Sequence, residues 1–302
     1  MLQRLCANEI DVPVGRMVYT PMLNARGGFE SDVTVTRLGE HEFFVVTGSS
    51  QTTRDFAWIE RHIRAEERAA LVDVTGGWSV ISVMGPNAEA LLRKLSPDDV
   101  SKAAMPFATT RDIDVGYARV RAARMSYVGG PGYELYVPVE QCLTLYDALW
   151  SVGAASSLKD AGYYTIDALR IEAGRRAWGA ELSPDESPWQ AGLGFAVQLD
   201  KRDVFIGREA LLKAREEPPT KRLLAITFDD PQAFPWGGEP ILMDGSSAGE
   251  LTSVGYSRKL GRAVALGYVR TPDPVTDTLL GAAGMAVDVA GVPFAVRATI
   301  AR

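Results

Sequence analysis

The run Phe29 to Leu38 restricts the fold more than any other stretch of this chain. Val33 and Val35 fall on one side of it, and Asp32, Thr34 and Thr36 on the other. A period of two suits a half-buried strand and no helix. The strand is preceded by the turn Ala25-Arg-Gly-Gly28 and by a strand-like segment, Met17 to Asn24. Glu42 to Thr47 reads as a third strand. Thr53 to Ile63 follows as a helix, with Phe56, Ile59 and Ile63 on one stripe.

The pattern then restarts. Strands are expected at Ala70 to Val74 and Trp78 to Met84, then a helix from Gly85 to Leu95 with a proline near its first turn. Strands at Tyr117 to Tyr127 and Tyr133 to Val137 flank the glycine-rich turn Val128-Gly-Gly-Pro-Gly132, and an amphipathic helix ends near Trp150. Helices are expected around Ile166 to Ala173 and at Gly207 to Ala214. From Lys221 onward the chain reads as β-rich, with turns at Trp236-Gly-Gly238 and Asp244-Gly245 and a boundary at Pro218-Pro219. Leu2-Gln-Arg-Leu-Cys-Ala-Asn-Glu-Ile10 is similar to Leu92-Arg-Lys-Leu-Ser-Pro-Asp-Asp-Val100, which suggests two related α+β units. The second copy has a strand and most of a helix before Leu92. The first unit is accordingly expected to lack its opening strand and helix.

Composition narrows the chemistry. A net charge of -6 offers no basic field for a phosphate backbone, so nucleic acid is not an expected partner. Arg121 to Arg124 reads as a solvated face. With Cys6, Cys142, His41 and His62 as the whole complement of cysteine and histidine, neither a disulfide framework nor a zinc site is expected. Cys142 reads as a small core residue. Gly245-Ser-Ser-Ala-Gly249 follows a turn and leads into a strand, the wrong setting for a nucleophile elbow. No apolar run reaches the roughly 18 residues of a membrane span. The first residues carry charge where a signal peptide is apolar. A cytosolic protein with no membrane contact is the expectation.

Several segments, in order, carry a family resemblance. They are Tyr19-Thr-Pro-Met-Leu-Asn-Ala-Arg-Gly-Gly-Phe-Glu-Ser-Asp32, Tyr127-Val-Gly-Gly-Pro-Gly-Tyr-Glu134, Asp167-Ala-Leu-Arg-Ile-Glu-Ala-Gly174, Trp178-Gly-Ala-Glu-Leu182 and Pro188-Trp-Gln-Ala-Gly-Leu-Gly-Phe195. Phe205 to Leu211, Gly249 to Tyr256 and Gly261 to Val269 extend them. Together they resemble the glycine-cleavage T-protein (aminomethyltransferase) family across essentially the whole chain. Ser31-Asp32, Trp178-Gly and Leu193-Gly-Phe195 are most similar to the folate-binding portions of dimethylglycine and sarcosine dehydrogenases and dimethylglycine oxidase. In those flavoenzymes this portion follows an FAD domain. Here no Gly-x-Gly-x-x-Gly appears, so no FAD site is expected in this chain.

The resemblance implies an α+β, T-protein-like fold of two pseudo-related sheet-and-helix units and a C-terminal β-barrel-like domain. The expected division is 1–50 with 155–216, then 51–154, then 217–302. It implies tetrahydrofolate as the ligand, with Tyr19, Tyr127, Glu134 and Arg170 binding it and Asp32 catalytic. A carboxylate suits the N–H edge of reduced pterin, and aromatic rings suit its face. Read from the residues alone, Glu134 is equally a solvated strand carboxylate and the tyrosines are half-buried sheet residues. Both tyrosines stand shortly before a Gly-Gly turn, so pseudo-symmetry would make them converge. Arg170 reads as a ligand or as a scaffold paired with Glu172 or Glu181. Arg258, Lys259 and Arg262 read as a turn-exposed charge cluster. Four activities remain open. The first is formation of 5,10-methylenetetrahydrofolate from the iminium or formaldehyde product of an N-demethylating flavoprotein, whether a separate subunit or a fused FAD domain. The others are aminomethyl transfer with a lipoyl carrier protein, a methyl-transferring demethylase, and a non-catalytic folate-binding module.

Overall fold

The alternation at Phe29 to Leu38 becomes a strand in the computed structural model, which describes residues 1–301. A four-residue helix α1 (Leu2–Leu5) precedes the strands β1 (Met17–Leu23), β2 (Phe29–Arg37) and β3 (Phe43–Val46), which form a sheet in that order. β2 buries Ser31, Val33 and Val35 and leaves Glu30, Asp32 and Thr34 half-buried on the opposite face. Helix α2 (Thr52–Glu60) buries Asp55 along with Ile59, a charged residue within the stripe that apolar periodicity marks out.

The second sheet holds β4 (Trp78–Met84), β5 (Thr110–Val115), β6 (Ala118–Ala123) and β7 (Gly132–Pro138), in the order β4-β7-β6-β5. Helices α3 (Ala88–Leu92) and α4 (Cys142–Gly153) contribute Leu91, Leu92, Leu145 and Leu149 to a core with Ile113, Val115, Tyr133 and Leu135. β5 and β6 meet through the two-residue turn Gly116-Tyr117, where Gly116 takes φ 58°. Glycine at the first central position of such a hairpin relieves the strain of a positive φ.

Helix α5 (Tyr163–Glu172) lays Ala168 and Ile171 against Gly255 of the barrel wall, where a Cβ would approach Ala168 Cα to 3.0 Å. Helix α6 (Arg208–Arg215) starts after Gly207, which is left-handed at φ 85°. Six further strands, β8 (Lys221–Phe228), β9 (Pro240–Met243), β10 (Ser246–Ser257), β11 (Arg262–Arg270), β12 (Met285–Val289) and β13 (Val292–Ile300), close into an antiparallel barrel. The short helix α7 (Asp277–Ala282) is capped by the Thr276 hydroxyl. Asp244-Gly245 and Ala290-Gly291, all with positive φ, make the tight turns of β9–β10 and β12–β13. Gly245-Ser-Ser-Ala-Gly249 thus runs from a hairpin turn into a strand. The fold is α+β with a closed C-terminal barrel of six strands.

Three expectations are corrected. Ala70 to Val74 forms no strand: it is extended chain outside any sheet, with Val72 69% exposed. The strand expected at Tyr117 to Tyr127 spans Ala118–Ala123 only; Tyr117 is a turn residue and Tyr127 lies in the following loop. Arg124 is not solvated but buried, donating to Val100 O, the Tyr133 hydroxyl and Glu89. A buried guanidinium is tolerated there because its donors meet a carboxylate and two oxygens.

By density of internal packing the residues fall into two compact units. One comprises Met1, Ile10–Val18 and Thr34–Gly162; the other comprises Leu2–Glu9, Tyr19–Val33 and the chain from Tyr163 onward. Among the described residues no helix is long and apolar enough to cross a membrane.

Candidate functional site

Strand alternation places Glu134 on the face of β7 opposite Tyr133 and Leu135, which are both buried in the α3–α4 core. Tyr136, two residues on, shares the face of Glu134, and its hydroxyl donates to Glu134 Oε2 at 2.7 Å. The cross-strand neighbours of Glu134 are Ser82 on β4 and Ala123 on β6, both too small to cover the carboxyl group. Burial raises the pKa of Glu134, and the Tyr136 hydrogen bond offsets this in part. Burial and the adjacent carboxylate push the Tyr136 hydroxyl up as well. No cation among the described residues pairs with Glu134. A half-buried carboxylate of this kind is short of charge-assisted donors, and a ligand presenting two N–H groups would supply them. Tyr136 is itself held edge-on to Phe44, with centroids 5.5 Å apart.

Tyr127 is 37% exposed in the loop before Gly129-Gly130. Its expected equivalence to Tyr19 does not hold. Gly27-Gly28 lies in the turn between β1 and β2, whereas Gly129-Gly130 lies between β6 and β7.

In the other unit, the Tyr19 hydroxyl donates to Asp32 Oδ2 at 3.1 Å across β1 and β2. The Tyr19 ring stacks on Phe195, with centroids 6.3 Å apart and planes at 29°. Phe195 is 66% exposed and so presents an aromatic face beside the Tyr19–Asp32 pair. Its loop is anchored by Arg176, which donates to Ala191 O at 2.8 Å and Gly192 O at 3.4 Å. Desolvation lowers the pKa of this buried guanidinium, and the nearby oxygens of Tyr268, Tyr19 and Glu181 work the other way.

Arg170 is only 4% exposed. Its Nε donates to Asp167, Nη1 to Glu181 and Arg175 O, and Nη2 to Ser253 Oγ, at 2.7 to 3.1 Å. Glu181, fully buried, also accepts from Thr252, Ser253 and the Ala177 N–H. Of the two carboxylates considered for Arg170, Glu181 is the partner. Sequence reasoning assigned no role to Tyr136 or Phe195. The period-two spacing from Glu134 was the available signal for Tyr136; Phe195 carried none beyond its place in a motif.

Residues 1–201 match the family model described as the GCVT N-terminal domain, and residues 221–301 match the glycine cleavage T-protein C-terminal barrel domain. The chain belongs to the glycine-cleavage T-protein family. That family is folate-dependent, and the present T-protein domain is 35% identical to the mitochondrial pyruvate dehydrogenase phosphatase regulatory subunit of Mus musculus, over 99% of this chain and 35% of that protein. It is 37% identical to 4-methylaminobutanoate oxidase (formaldehyde-forming) of Paenarthrobacter nicotinovorans, over 87% of this chain and 32% of that one. The chain thus spans about a third of the length of these relatives. The crystal structure of glycine cleavage system aminomethyltransferase T from Bartonella henselae shares the T-protein fold, with a TM-score of 0.82 at 23% identity over 98% of this chain and 78% of that one.

Proposed function

We propose that this T-protein domain forms 5,10-methylenetetrahydrofolate from an iminium or formaldehyde unit released by an N-demethylating flavoprotein. The observation that carries the reading is Glu134, a half-buried carboxylate with one oxygen held by Tyr136 and small residues on either side. Tetrahydrofolate, when bound, supplies two amine nitrogens that take up the one-carbon unit. Glu134 would accept from the N–H edge of the pterin, and Tyr127 would line its ring. Asp32, held by Tyr19, would accept or relay the proton released when an amine nitrogen bonds to carbon, and its charge would stabilise cationic species beside it. Arg170, with its donors committed to Asp167, Glu181, Arg175 and Ser253, suits a scaffold better than a ligand. The formaldehyde-forming oxidase among the relatives favours a flavoprotein as source of the carbon.

A second reading, a non-catalytic folate-binding or regulatory module, is favoured by the phosphatase regulatory subunit among the relatives. Titration with tetrahydrofolate, followed by tryptophan fluorescence, tests what both share. Turnover then separates them: methylenetetrahydrofolate formed from formaldehyde supports the enzyme, and binding without turnover supports the module. Activity that requires a lipoyl carrier would replace the proposed donor with the glycine-cleavage one, and methyltetrahydrofolate as sole product would indicate a demethylase. We also propose that 1–50 with 155–216, 51–154 and 217–302 behave as separate domains.

A further inference from the structure

The two sheets outside the barrel correspond strand for strand, except at one place. Along the chain, β4 and α3 are followed by β5, β6, β7 and α4; elsewhere α1 is followed by β1, β2, β3 and α2. Equating α1 with α3, as the Leu2–Ile10 and Leu92–Val100 match does, pairs β1 with β5, β2 with β6 and β3 with β7. β7 is hydrogen-bonded on both sides, to β6 and to β4, whereas β3 is bonded only to β2. The position beside β3 that corresponds to β4 is an open sheet edge.

The chemistry of that edge is unlike that of a protected one. Leu38 N donates to Glu42 O at 2.8 Å, and Thr36 and Thr34 stand opposite Phe44 and Val46. Antiparallel alternation makes these the bonded pairs, so Phe43 and Val45 turn their N–H and C=O groups outward. Among the described residues, β3 makes no backbone hydrogen bond outside its ladder with β2. Its sequence, Phe43-Phe44-Val45-Val46, is half-buried throughout and has no charge or proline. The edge strand β5, by contrast, exposes Arg111, Asp112 and Asp114, and the two aspartates pair with Arg121 and Arg119. Charges of that kind deter strand addition, and an uncharged Phe-Phe-Val-Val edge invites it.

We propose that β3 docks a strand of a partner polypeptide. The strand runs antiparallel to β3, alternates apolar residues as β4 does in Trp78-Ser-Val-Ile-Ser-Val-Met84, and continues into a short helix like α3. The sister sheet argues for this occupant, because it shows what fills the equivalent place.

Hydrogen exchange on the full chain tests the proposal, with a synthetic peptide of residues 78–95 as the probe. Saturating peptide should slow amide exchange at Phe43 and Val45 by about tenfold or more. Val45→Pro lacks the outward N–H but keeps the β2 ladder, and should abolish the peptide's binding at this edge. Phe43→Glu keeps every backbone donor but charges the edge, and should weaken binding if the proline variant fails to fold. No added protection in the parent chain, or protection confined to β7, would overturn the proposal. So would a concentration-dependent dimer in sedimentation that Phe43→Glu dissociates, since the occupant would then be a second copy.

Discussion

Glu134 combines a stability cost with the proposed binding role. Its pKa is raised in the folded chain by burial, so the ionised form is disfavoured there relative to the unfolded chain. The stability it contributes is present below its ordinary value of 4.5 and is lost as pH rises through the higher folded value. Glu134→Gln should therefore unfold at higher temperature than the parent at pH 7, and the difference should vanish in melts below about pH 4. The same variant should bind tetrahydrofolate more weakly at pH 7. Asp32→Ala should keep folate binding and lose about 10²- to 10⁴-fold in turnover, the usual worth of a positioned proton acceptor; unchanged turnover removes Asp32 from the mechanism. Arg170 and Glu181 belong to another kind of residue. Breaking a buried ion pair by removing one partner costs about 3–5 kcal/mol. Glu181→Ala should accordingly show that loss in denaturant unfolding, whether or not folate is present.

Elements were legible in the sequence where one face meets the core and the other meets solvent. Trp78–Met84 matches its expected bounds, and the alternation of Val33 and Val35 against Asp32 and Thr34 survives as burial. Thr110–Val115 was missed because Arg111, Asp112 and Asp114 hide its buried Ile113 and Val115. Ala70 to Val74 has strand composition but joins no sheet, and composition cannot show whether a neighbour exists. Arg124 and Asp55 read as surface residues because burial of a charge is decided by partners distant in sequence. For Arg124 these are Glu89 and Val100. Irregular segments are held by contacts of the same long-range kind. Gly192 has φ +69°, and a Cβ there would come within 1.9 Å of Ala301 O and 2.6 Å of Arg176. Gly192→Ala should destabilise the chain by more than the ~1 kcal/mol of an ordinary surface change. It should also shift the Phe195 loop, detectable as altered fluorescence of the neighbouring Trp189.

At the scale of the whole chain, the barrel is the part with no free strand edge, since β9 closes back onto β10. If the proposed division at Pro218-Pro219 holds, Glu-C should cut first after the exposed Glu216 and leave the barrel intact; early cuts within residues 221–300 would refute it. The N-terminal segment is secured from within its own unit. The Lys201 ammonium donates to the carbonyls of Gln3, Cys6 and Asn8 and to the Gln3 side chain, at 2.6 to 3.1 Å. Beneath it, Cys6 is fully buried and its thiol is pushed up to about 12 by desolvation. Alkylating reagents attack the thiolate and need access to it. The native chain should consequently take up one maleimide, at the partly exposed Cys142, and a second only when the first eight residues lift away. The rate at which that second label arrives is a clock for the opening of this corner, readable by mass spectrometry.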